Sequence, residues 1–302
     1  LFDELLTEFD PSAVLVMGNG DAVLACALLA SKRNVPLLRV AGGMRDRHGE
    51  RGEEMNGALI DRLSDSLYVN RMDSYFTLYQ EGIGSDRVLC VGNLVGDMLK
   101  RVLPHVPTPS ETMTAARLPV AAVEAPEGFA LVTVPLRSSI LKALPELLSS
   151  LCELGQTLPV VWVLNGEGVD RLDAAVAARL QAARVTVLQA PPYLQRIGLL
   201  ETARCLITGA EGSMLEEANS LRIPALRLSC DSAASSLMID TGTALAEGSS
   251  TDPLSRIRQV LAKAVSEPDS PEYWDSGTAM RIANHLLQRL AVVSPTTARS
   301  QA

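Results

Sequence analysis

The run Ala13-Val14-Leu15-Val16-Met17-Gly18-Asn19-Gly20-Asp21 joins a short apolar strand to a glycine turn and a helix start. Asp21 stands where an N-cap is needed, and a helical pattern follows to about Lys32. Outward from this stretch the alternation repeats. Val35 to Val40 reads as a second strand, closed by Ala41-Gly42-Gly43. A helix is expected over Glu53 to Leu63, a strand at Ser66 to Val69, a helix over Met72 to Gln80 and a strand at Arg87 to Val91. Leu1, Phe2, Leu5, Leu6 and Phe9 give an amphipathic helix ahead of the first strand. Strands alternating with helices of this length indicate parallel βαβ units.

Pro104, Pro107, Pro109, Pro119 and Pro126 then break the rhythm, and residues 104–128 read as a linker. Strands are next expected at Phe129 to Val134, Val160 to Leu164, Val185 to Leu188, Cys205 to Thr208 and Ala225 to Leu228. Between and after them the helices fall at Leu141 to Leu154, Asp170 to Ala183, Tyr193 to Thr202, Ser213 to Leu221, Pro253 to Val265 and Ala279 to Leu290. The fold expected is α/β, with two Rossmann-like domains built on parallel sheets. The first covers residues 1–103 and the second 129–290, with a polar tail at 291–302. In open parallel sheets ligands bind beyond the carboxyl ends of the strands, which puts the expected cleft between the two halves.

Composition narrows the function. The chain is 47% hydrophobic and 21% charged, a globular profile, and its apolar runs are too short for a membrane span. Thirty-five acidic against 27 basic residues leave a net charge of −8, which argues against nucleic acid and an anionic membrane surface. Cys26, Cys90, Cys152, Cys205 and Cys230 are scattered and never paired as C-x-x-C, which reads as buried thiols in a reducing, cytoplasmic setting. His48, His105 and His285 lie far apart, so no metal motif and no cofactor is implied. Because the sequence opens at Leu1 in mid-pattern, a truncated first domain is expected.

Three turns can carry chemistry. Gly18-Asn19-Gly20-Asp21 offers backbone donors to an anion, or is simply a tight strand-to-helix turn. Gly42-Gly43-Met44-Arg45-Asp46-Arg47, followed by Glu53-Glu54, pairs arginines with carboxylates, or is a solvated charged loop. Thr208-Gly209-Ala210-Glu211-Gly212-Ser213 leads into a helix with Glu216 and Glu217. There the N–H groups of Gly212 and Ser213 can receive a diphosphate and a glutamate can accept from ribose hydroxyls. The competing reading of that turn is helix capping by Ser213.

With these turns on the page, the chain resembles the non-hydrolysing UDP-N-acetylglucosamine 2-epimerases, two-domain enzymes of the glycosyltransferase-B type fold. Glu53-Glu54-Met55-Asn56-Gly57 looks like the family's Pro-Glu-Glu-x-Asn-Arg helix. Glu81-Gly82-Ile83 with Val91-Gly92-Asn93-Leu94-Val95-Gly96-Asp97 resembles its Glu-Gly-Ile and Val-Gly-Asn-x-x-x-Asp stretch. Pro192-Tyr193 and then Gly212 to Ala218 match its uracil- and diphosphate-binding region in order and spacing. The family carries a further strand and an arginine-bearing phosphate loop ahead of the position of Leu1, so the resemblance implies an incomplete first domain.

The resemblance implies a reaction that removes the C2 proton of the sugar, expels UDP and adds it back with C2 inverted. Such chemistry needs carboxylates near C2 and donors for the departing diphosphate. Position by position, the family's first-domain carboxylates fall on Asn19 and Ala41, and its histidine falls on Pro135. Its Pro-Glu-Glu carboxylate is kept as Glu54, while the arginine three residues on is Gly57. The ligand-binding set implied is Arg45, Tyr193, Gly212, Ser213, Glu216 and Glu217, with Glu54 as the one catalytic position retained. Losing several acid–base groups at once points to a family member that binds a UDP-sugar or a partner with little epimerase activity. The alternatives are an active sugar-nucleotide enzyme that uses Glu54 with Asp21 or Asp46, and a glycosyltransferase of the same fold class. A homodimer, or a heterodimer with an active homologue, is implied by resemblance.

Overall fold

A computed structural model describes residues 1–45, 51–136, 140–141, 143–209, 214–231, 236–241 and 275–293, without the side chains of residues 51, 229–231, 236–241 and 290–293. The helix expected over Pro253 to Val265, most of the tail, Asp46, Glu211, Gly212 and Ser213 lie outside the described residues. The chain divides into two compact units, residues 1–98 with 271–302, and residues 99–270.

In the first unit β1 (Val14–Met17), β2 (Leu37–Val40), β3 (Ser66–Val69) and β4 (Val88–Cys90) form a parallel sheet in chain order. Helices α1 (Phe2–Phe9), α2 (Asp21–Lys32), α3 (Arg51–Leu63), α4 (Met72–Gln80) and α5 (Leu94–Val102) flank or link the strands. Every residue of β2 and β3 is buried, as central parallel strands require, whereas β1 at the edge exposes Leu15 and Met17. Leu37 packs with Ala27, Ala30 and Ile60 on one face of the sheet. On the other face Leu38, Val40 and Tyr68 meet Ile282 and Leu286 of the C-terminal helix Thr278–Val293.

That last helix corrects the expected division of the chain, because amphipathic spacing reveals a helix but not the sheet that receives it. Its first N–H groups, at Thr278 and Ala279, donate to the Asp97 carboxylate at 3.1 and 3.3 Å, a favourable charge at a helix N-terminus. Arg281 Nε donates to the Val91 carbonyl at 2.7 Å, and Tyr68 Oη lies 3.0 Å from His285 Nδ1. The helix therefore completes the first unit.

In the second unit the strands are β5 (Ala130–Thr133), β6 (Val160–Leu164), β7 (Val185–Gln189), β8 (Cys205–Gly209), β9 (Ala225–Asp231) and β10 (Ser236–Thr241). They lie in the order β10-β9-β8-β5-β6-β7, all parallel except the β9–β10 pair. Strand β10 is not expected from the sequence, where small polar residues precede it without an Asn-Gly turn signal. The strand order turns back beside β5, which makes the carboxyl ends of β5 and β8 a topological switch point. Trp162 is buried in the core with Leu151, Leu164 and Ile207.

Around this sheet pack α6 (Pro109–Ala115), α7 (Leu144–Thr157), α8 (Gly166–Asp170), α9 (Ala174–Ala182), α10 (Tyr193–Thr202) and α11 (Met214–Ser220). Helix α6 lies inside the stretch read as a linker; Thr108 and Glu111 form a capping box, and Gly198 of α10 packs directly on the Pro107 carbonyl. The helix expected over Asp170 to Ala183 is α9, which starts at Ala174 because Asp173 caps it by accepting from Val176 N–H at 2.7 Å, and the short α8 precedes it. Among the described residues no helix is long and apolar enough to cross a membrane.

Candidate functional site

In the first unit the turns after β1 and β2 meet at α3. Gly20 is the N-cap of α2, and Asp21 is its first residue rather than its cap. The Asp21 carboxylate instead accepts from Asn56 Nδ2 at 2.7 Å, and the same amide nitrogen donates to the Asn19 carbonyl at 3.0 Å. Asn56 thus ties the first turn to α3. The Asn19 side-chain oxygen accepts from Arg39 Nη2 at 2.7 Å. Gly57, where the family carries arginine, leaves room for Asn19, whose side-chain atoms lie 3.4 Å from where a Cβ would stand.

Arg39 projects from β2 and is 1% exposed; Asp61 on α3 is fully buried. Arg39 Nε lies 2.6 Å from Asp61 Oδ1, an ion pair without linear hydrogen-bond alignment. Asp61 Oδ2 accepts from Gly43 N–H at 3.1 Å and faces Arg45 Nη1 at 2.8 Å. Arg45 in turn donates to both Glu81 oxygens, at 2.9 and 2.6 Å. Burial pushes the Asp61 carboxyl up, against the pull of Arg39 and Arg45. Two guanidinium groups and a backbone N–H converge on that carboxyl. Burial likewise lowers Arg39, against the pull of Asp61.

Backbone shape fixes this arrangement. Ala41 holds a left-handed conformation at φ 57°, and Gly43 follows at φ 73°. Any side chain at Gly43 would run into the Ser74 carbonyl, so only glycine can deliver its N–H to Asp61 there. Glu54 lies on α3, half-buried, in an open depression of about 740 Å³ that Arg45, Glu81 and Arg71 also line. Among the described residues none hydrogen-bonds its carboxylate. The structure thus brings Arg45 and Glu54 to one depression, and links Asn19 to Arg45 through Arg39 and Asp61.

The sequence reading passed over Arg39. Its signal was a charged residue inside an otherwise apolar strand run, which demands a buried partner.

In the second unit the described residues at the switch point are neutral. Thr133 and Thr208 join β5 to β8 through their hydroxyls at 2.9 Å. Pro135 closes on Gly209, where a Cβ would stand 2.8 Å from the proline Cδ. The Trp162 indole donates to the Val134 carbonyl at 3.2 Å and pins the same segment. Tyr193 begins α10, and its hydroxyl bonds Glu217 of α11, a residue 1% exposed. Burial, then the Glu217 charge and hydrogen bond, push the Tyr193 hydroxyl up to about 12, against the pull of Arg196. The Arg196 guanidinium stacks 5.4 Å above the Tyr193 ring. Glu216 is half-buried beside Glu217. Of the expected second-half ligands, the structure brings Tyr193 and Glu217 together.

The model of the UDP-N-acetylglucosamine 2-epimerase family matches residues 1–287. The chain belongs to this family.

A probable UDP-N-acetylglucosamine 2-epimerase of Ralstonia solanacearum is 26% identical over 290 residues, covering 92% of this chain and 76% of that protein. The Methanocaldococcus jannaschii enzyme is 24% identical, over 75% of this chain and 62% of its own length. The chain thus spans less than two thirds of some curated relatives that it matches. In structure it is similar to the Neisseria meningitidis UDP-GlcNAc 2-epimerase solved with UDP-GlcNAc, at TM-score 0.70 and 21% identity over 95% of this chain and 78% of that one. The fold of this family member is α/β and Rossmann-like, of the glycosyltransferase-B type.

Proposed function

We propose that this family member binds a UDP-sugar through its second unit and has lost most of the epimerase catalysis. The carrying observation is the occupation of the first-unit turns by the protein's own groups. Asn19 stands where a base is required and is held by Arg39, while Ala41 has no functional group at all. Asp61 is enclosed between Arg39 and Arg45, and Arg45 is spent on Asp61 and Glu81. In the second unit Tyr193 heads α10 and bonds Glu217 of α11, the helix that follows β8, and this pair is the nucleoside contact of the proposal. The UDP-GlcNAc named with the Neisseria relative supports the same ligand class. Glu54, without a described hydrogen bond, favours a second reading in which an active sugar-nucleotide enzyme uses this one carboxylate.

The test is calorimetric titration of the protein with UDP. Binding is expected, weakened about tenfold by Glu217→Gln, in line with the loss of a charge-assisted hydrogen bond. Absence of UDP binding would overturn the ligand.

Self-association is part of the proposal. Met72, Phe76 and Tyr79 expose an apolar stripe on α4, and Met55 and Leu59 do so on α3. A second copy of this chain is the occupant proposed, with a homologous subunit as the alternative that sedimentation of the purified protein distinguishes. A cytoplasmic setting belongs to the same proposal, on the scattered cysteines of the sequence.

A further inference from the structure

We propose that Arg39 is a positioning residue that holds the Asn19 amide by its oxygen, leaves only its nitrogen end to donate, and makes the position unfit for a base. The inference rests on the functional reading above, but it concerns why the position is inert rather than what binds. Arg39 is anchored from below, because Nε faces the buried Asp61 at 2.6 Å and cannot swing away without leaving that carboxylate short of a partner. Its Nη2 then meets the Asn19 oxygen at 2.7 Å. With Oδ1 taken, Nδ2 is the end of the amide that no described residue accepts from. What Asn19 offers a sugar is therefore a donor, suited to a hydroxyl or carbonyl lone pair and unable to remove a proton.

The same geometry makes the loss double. A carboxylate restored at position 19 would sit against a guanidinium fixed by Asp61, and an arginine that close holds a carboxyl about 1–3 below its ordinary pKa of about 3.9. Such a group is ionised but a poor base, since base strength falls with pKa. The other charged groups about position 19 do not reverse this. Asp21 of α2 is engaged by Asn56, Arg45 and Asp61 lie behind Arg39, and Glu54 stands on the α3 turn before Gly57. Recovery of a base therefore requires changes at both 19 and 39.

The experiment is NMR titration of the side-chain carboxyl introduced by Asn19→Asp, in the full chain and without ligand. With Arg39 present the midpoint is expected to fall by about 1–3 below the ordinary value. In Asn19→Asp/Arg39→Gln it rises to the ordinary value or above it. Asn19→Asp/Arg39→Lys keeps a charge for Asp61 and is the second variant, read in case the glutamine variant fails to fold. A single ammonium cannot serve both Asp61 and residue 19, so here too the midpoint moves back toward the ordinary value. A midpoint at or above the ordinary value with Arg39 intact, or one that ignores both Arg39 changes, overturns the proposal. Because no ligand is present, failure of UDP to bind would count against the functional reading and leave this one standing.

Discussion

The two units carry the same kind of parallel sheet, yet their strand ends are finished in opposite ways. At the ends of β1 and β2 the chain packs charge on charge, with Asn19, Arg39, Asp61, Arg45 and Glu81 joined in one succession. At the ends of β5 and β8 it places two threonine hydroxyls, a proline and a glycine. A site whose charges satisfy one another is rigid and chemically quiet. Among the described residues the ends of β5 and β8 are finished with neutral groups, and Tyr193 and Glu217 bond each other. The charged succession and the threonine pair sit on different sheets of one chain.

The largest difference should appear when one partner is removed from each region. Arg39→Ala leaves Asp61 buried with Arg45 and the Gly43 N–H alone, and an uncompensated buried charge costs about 3–5 kcal/mol. Thr208→Val removes one neutral hydrogen bond, worth about 0.5–1.5 kcal/mol. Denaturant unfolding of the two variants measures both, and equal losses would erase the distinction drawn between the regions.

Next in size is Gly209→Ala. Its Cβ meets the Pro135 ring, and overpacking of that kind costs about 1–3 kcal/mol. Combining it with Pro135→Ala should return part of the loss, a coupling that a double-mutant cycle reads directly. Ala41→Gly works in the other direction. The left-handed conformation at position 41 is strained for alanine, and glycine should stabilise the first unit by up to about 1 kcal/mol.

The smallest effect sharpens the contrast within the first unit, between its charged strand ends and the face covered by the C-terminal helix. Burial, with Arg289 nearby, holds His285 below its ordinary value, so the folded state favours the neutral ring. The stability it contributes is complete above the unfolded pKa of about 6.5 and is lost as pH falls through that value toward the lower folded one. A Tm that drops on acidification across this range in the parent protein, and drops less in His285→Gln, is the expected outcome.

The fold was largely legible because its signals are local. Ser66–Val69, Val160–Leu164 and Tyr193–Thr202 fall where apolar period and turn residues put them. What was not legible depends on partners distant in sequence. The C-terminal helix joins the first sheet through Asp97, Val91 and Tyr68, and the proline-rich stretch around α6 packs on α10 at Gly198. The site divides in the same manner. Motif spacing points to Asn19, Arg45 and Glu54, and in the structure Arg39 donates to the first and Asp61 pairs with the second. A buried ion pair is formed by residues on β2 and α3, and nothing in either segment alone announces the other.

The central claim is tested most directly by incubating the protein with UDP-N-acetylglucosamine in deuterated water and reading the sugar by NMR. Binding with no deuterium at C2 is the predicted result. Deuterium appearing at C2 at an enzymatic rate would show that proton transfer survives at the ends of the first sheet, and would contradict it.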